Sequence, residues 1–125
     1  FELRGNFSAG TYGQAFLATG SHVMRFAGTG AQSVFLQYTG GGQSQFASIE
    51  ITNASTAGVT PTSNIPVGGN LTQLGRLSIT SVAVNVAGAV ALGPSSNTSV
   101  VGGALNKASC SIISGTPVFS GFSCP

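Results

Sequence analysis

Charge is what this sequence has least of. Four basic residues, Arg4, Arg25, Arg76 and Lys107, and two acidic ones, Glu2 and Glu50, make up 5% of 125 residues, against about a quarter in an ordinary soluble domain. The basic side chains are scattered, so the net charge of +2 forms no patch that could displace counterions from a phosphate backbone. Nucleic acid is excluded as a partner on that ground. The sequence has no Asp and a single His, His22. A Ser-His-Asp triad cannot be built without the aspartate, no G-x-S-x-G elbow is present, and the two carboxylates lie far apart in the chain. No catalytic residue is assigned.

Other absences narrow the field further. Two carboxylates are too few for a hard cation, and two cysteines without a neighbouring His or a second Cys pair do not make a zinc site, so no metal and no cofactor is expected. The glycine runs at 40–42 and 102–103 lack the Lys and the following helix of a phosphate cradle and read as turns. The most apolar stretch, residues 81–92, is interrupted by Asn85 and Gly88 and falls short of the ~18 residues of a membrane span. A chain that opens on Phe1 without Met reads as processed, or as a fragment.

What is present is glycine, short apolar runs and hydroxyls. Hydrophobic residues make up 42% of the chain, with eight Phe and 19 Gly, which argues for a packed core over disorder. Glycine recurs at Gly10, Gly20, Gly30 and Gly40, with Thr-Gly closing three successive decades. Since glycine accepts the positive φ of tight hairpin turns, this spacing predicts a meander of three strands over 11–18, 22–27 and 32–39. Further strands are predicted over 45–52, from Arg76 onward, and over 89–92, 98–101, 108–113 and 117–124. A connection of about 23 residues precedes Arg76, long enough to hold a short strand of its own. Leu77 and Ile79 share one phase and Val82, Val84 and Val86 the other, which calls for a bend near Thr80-Ser81 where the chain changes sheets. No helical stripe is visible. The sum is an all-β, antiparallel β-sandwich or jelly roll of about 9–10 short strands, a single domain over 10–125 preceded by a strand and joint at 1–9.

Residues 1–7, FELRGNF, alternate cleanly, with Phe1, Leu3, Gly5 and Phe7 on one face. Such a terminal apolar comb, followed by the joint Ser8-Ala9-Gly10, either closes its own sheet or crosses to a neighbouring subunit. Cys110 and Cys124 are expected to form a disulfide whose loop of about 15 residues is worth ~3 kcal/mol in the chain-entropy model. The pattern N-x-S/T occurs at Asn6, Asn53, Asn70 and Asn97, more often than the one or two chance triplets expected at this composition, and marks them as N-glycosylation candidates in a secreted protein. A glycan coat would supply the solubility that charge does not.

The small all-β layout, the Gly/Ala/Ser/Thr/Val-rich composition, the scarcity of charge and the N-terminal strand together resemble subunits of extracellular pili and fibres that polymerise by donating a terminal strand. That resemblance implies a secreted, glycosylated, non-enzymatic subunit of an extracellular or cell-surface filament or layer, with itself as partner and Phe1, Leu3, Gly5 and Phe7 as the inter-subunit strand. The alternative is a monomeric carbohydrate-binding or adhesive module of a larger secreted protein, taking a polysaccharide at the region from Tyr38 to Gln45, where Gln37, Gln43 and Gln45, together with the more distant Gln32, supply amides.

Overall fold

The computed structural model describes residues 1–10, 15–39 and 42–125. These residues form no antiparallel sandwich and no jelly roll. Every strand pairing is parallel, and the chain winds as a β-solenoid of about five turns.

Fifteen strands are formed among the described residues. One six-stranded sheet stacks β1 (Glu2–Leu3), β3 (Val23–Phe26), β5 (Ser48–Ile51), β8 (Leu71–Gln73), β11 (Ala89–Leu92) and β14 (Ser109–Ile112) in that order. A second stacks β2 (Phe7–Ala9), β4 (Gln32–Leu36), β6 (Val59–Pro61), β9 (Arg76–Thr80), β12 (Asn97–Val101) and β15 (Val118–Ser120). The third side holds β7 (Ile65–Val67), β10 (Ala83–Val86) and β13 (Ala104–Asn106). Single bridges, Leu17 to Gln45 and Phe46 to Val67, extend it toward the N-terminal end.

The antiparallel reading fails for a definable reason. Alternation along a strand says which face a side chain takes, but nothing about which strand lies alongside. The decade glycines at 20 and 30 do turn the chain, Gly20 with φ 75°, yet they lead from one side of the coil to the next. Each strand finds its partner a whole coil away: Thr98 lies beside Leu77 and Phe119 beside Thr98. The bend expected near Ser81 is present. Ser81 has φ 59°, and the chain there passes from β9 to β10 on another side, which restores Val84 and Val86 to the interior.

Stacked coils place like positions in columns. Met24, Ile49, Leu71, Val90 and Cys110 are in register down the first sheet, and Phe26, Ile51, Gln73, Leu92 and Ile112 form the next inward column. Val90, Leu92, Ile79 and Phe46 are wholly buried, each worth about 1.5–3 kcal/mol relative to exposure. The columns are not purely apolar. Gln73 is buried in the second of them, its Nε2 donating to Gly75 O at 3.1 Å and Thr98 Oγ1 at 3.0 Å. Two coils earlier Gln32 Nε2 donates to Leu3 O at 3.0 Å and Gly5 O at 2.7 Å, while its Oε1 accepts from Gly28 N and from Asn53 Nδ2. These amides sit where the chain leaves the first sheet for the second. They supply the partners that turning backbone would otherwise lack inside the core.

Candidate assembly surface

A solenoid built from parallel sheets has two kinds of surface, its sides and its ends, and the chemistry of this chain differs between them. On the sides, outward positions carry small hydroxyl and amide residues, and four of the six charged residues, Glu2, Arg4, Arg25 and Glu50, pair with one another. Glu2, Arg25 and Glu50 are neighbours in one outward column, with Arg25 Nε to Glu50 Oε1 at 2.8 Å, Arg25 Nη1 to Glu2 Oε2 at 3.7 Å and Arg4 Nε to Glu2 Oε1 at 3.0 Å. Being solvated, such pairs contribute about 0–1 kcal/mol each. Lys107 lies over the ring of Phe122 at 5.4 Å.

The ends carry most of the exposed large apolar side chains. At the N-terminal end, β1 and β2 are the outermost strands of their sheets and no described strand covers them. Phe1 is 85% exposed, although its amino group donates to Val23 O at 3.0 Å. Behind it lies a hollow of about 410 Å³ bordered by Phe1, Leu17, Val23, Phe7, Phe16 and Phe46. Its floor is an aromatic cluster, Phe7, Phe16 and Phe46 lying within 4.9–5.2 Å of one another by ring centroid. Edge-to-face and tilted rings at this separation hold the first coil to the core.

At the other end β14 and β15 are outermost, and Ile112, Ile113 and Val118 face solvent. The disulfide predicted from the sequence is closed there, Cys110 to Cys124 with S–S 2.05 Å and Cα–Cα 5.0 Å. It ties the last inward position of one column to the C-terminal tail, and Phe119 and Phe122 pack alongside with centroids 5.3 Å apart. A closed disulfide is consistent with an oxidising compartment.

The remaining sequence candidates are dispersed. Leu3 and Phe7 of the terminal comb pack against their own chain's core. Residues 1–7 open the first coil, and the groove of an incomplete sandwich that strand donation requires has no counterpart in this fold. Of the glycosylation candidates, Asn53 is corrected by its surroundings. It is 1% exposed, with Nδ2 donating to Gly30 O at 2.7 Å and to Gln32 Oε1 at 3.0 Å, which leaves no room for a sugar. Asn6 and Asn70 are exposed, and their Oδ1 atoms accept from Ser33 N and Ala89 N, each at 2.9 Å and each one coil on. Asn97 is half-buried. Asn64, in no such triplet, accepts from Ala83 N in the same way. The abundance of Asn therefore has a structural cause at the corners, one that the triplet pattern alone does not reveal.

In the region from Gln32 to Gln45, the amides of Gln32, Gln37 and Gln45 have partners within the chain. Gln32 is buried, Gln45 Nε2 donates to Ala18 O at 3.3 Å, and Gln37 Nε2 donates to Tyr38 Oη at 3.4 Å. Gly40 and Gly41 of that region lie outside the described residues, as do 11–14 of the first predicted strand. His22 is exposed beside the hollow. Among the described residues no group of three or more His, Cys, Asp or Glu is gathered, and no helix is long and apolar enough to cross a membrane.

The fold and these ends define a class, a small parallel β-solenoid closed by one disulfide. Comparison with protein-family models, curated proteins and solved structures finds no match to this chain.

Proposed function

We propose that this protein is a secreted, non-enzymatic building unit of an extracellular fibre or surface layer, with its N-terminal coil as one of the surfaces through which units join. The observation that carries the reading is the placement of its exposed apolar side chains. Of the eight large hydrophobic residues that face solvent among the described residues, six lie at the two ends of the solenoid: Phe1, Leu17 and Val23 at one, Ile112, Ile113 and Val118 at the other. Unpaired strand edges flanked by apolar side chains are templates for further strands, and here they lack the charged residues that usually blunt such edges, Glu2 and Arg4 excepted. The closed disulfide and the exposed Asn6 and Asn70 support an extracellular setting, where glycans on those residues would keep the sides in solution.

Electron microscopy of the full chain at rising concentration, kept oxidised, tests this. Filaments or layers are the expected result. Particles that stay at the mass of one chain up to millimolar concentration would overturn the proposal.

A further inference from the structure

We infer that copies join head to tail, the last coil of one seating on the first coil of the next so that the first sheet runs on across the junction. This rests on the assembly reading above and specifies its contact. The first sheet begins with β1 and ends with β14, and the second begins with β2 and ends with β15. All pairings within the molecule are parallel, so the edge left open at one end has the strand direction that the edge at the other end accepts. A second copy displaced along the solenoid axis therefore sets β14 beside β1, with backbone groups spaced as between any two internal coils, about 4.8 Å apart. The register of the second sheet sets β15 beside residues 4–6, just ahead of β2. Two heads turned toward each other oppose their strand directions, unlike every pairing within the molecule.

Side chains agree with the backbone. Leu3 stands in register with Phe26, which heads the column ending at Ile112. One further step of the same register sets Ile112 of one copy beside Leu3 of the next, and outward Ser111 beside Glu2, so no like charges meet. Ile113, 54% exposed, and Val118, 62% exposed, then lie over the corner of the next copy's first coil between β1 and β2. A contact between two different patches that does not close on itself propagates as a filament.

Two double variants of the full, oxidised chain test the junction by sedimentation velocity. Phe1→Asp with Val23→Asp charges the head, and Ile113→Asp with Val118→Asp charges the tail. All four residues face solvent, and circular dichroism with a thiol count verifies that each variant keeps its strands and its disulfide. Should a charged variant fail to fold, Ser replaces Asp at the same positions. Each variant alone is expected to sediment as one chain, and an equimolar mixture as a species of twice that mass and no larger. Self-dimerisation of the tail variant, or long assemblies from either variant alone, would overturn the head-to-tail junction while leaving the fibre reading standing. Wild-type protein that never assembles removes the fibre reading itself.

Discussion

Asn53 shows how much a single side chain decides in this fold. Its amide serves two acceptors, and its Oδ1 accepts from Ser55 N at 3.0 Å, so one residue joins a turn, a loop and the buried Gln32. Replacement by Ala removes one donor from Gln32 Oε1, which keeps Gly28 N, and one from Gly30 O, at a net cost of about 0.5–1.5 kcal/mol for each hydrogen bond lost. The denaturation midpoint of Asn53→Ala should fall accordingly under urea. In material from a glycosylating host, the peptide carrying Asn53 should show no deglycosylation mass shift, in contrast to those carrying Asn6 and Asn70. Glycine at 103 is equally constrained. A Cβ there would collide with Val82 O, the carbonyl that accepts from Ala104 N at 3.1 Å. Substituting Ala for Gly often stabilises by about 0.4–1 kcal/mol through the unfolded chain. Gly103→Ala should instead destabilise, measurable as a lower midpoint in the same titration.

Among the elements, some strands were legible from residues alone and strand partnership was not; β6, β7 and β8 all lie in the connection of about 23 residues that was given room for one short strand. Residues 89–92 were expected as a strand and form one, and the phase shift at Ser81 marked a real corner. Parallel partnership could have been found from spacing. Gly69, Gly88 and Ala108 occupy successive coils and are linked by backbone bonds from Gly88 N to Gly69 O and from Ala108 N to Gly88 O, a recurrence of about 20 residues in the C-terminal half. In the N-terminal half the interval stretches: Phe7 lies beside Val34 and Val34 beside Pro61, so the longer corners there mask the repeat. The candidate surface was half legible. The comb at Phe1, Leu3 and Phe7 was visible, but that Ile112, Ile113 and Val118 share the opposite end required the coil to be known. The disulfide acts at this scale too. Cys110→Ser with Cys124→Ser releases a link across 14 positions, worth ~3 kcal/mol in the chain-entropy model. In hydrogen exchange the loss should concentrate in β14, β15 and the tail, with β5, β8 and β11 keeping their protection.

For the molecule as a whole, stacking makes stability nearly one-dimensional, because each coil pairs only with the coils before and after it. The long axis has no natural stopping point in its middle, only at its ends. Duplicating one stretch of about 20 residues, such as the coil from Asn70 to Gly88, would add a rung of about 4.8 Å and leave both ends chemically as they were. Rod length in such a protein is thus set separately from what the rod joins to, and a lineage carrying this chain could adjust reach by counting coils without relearning how to connect them.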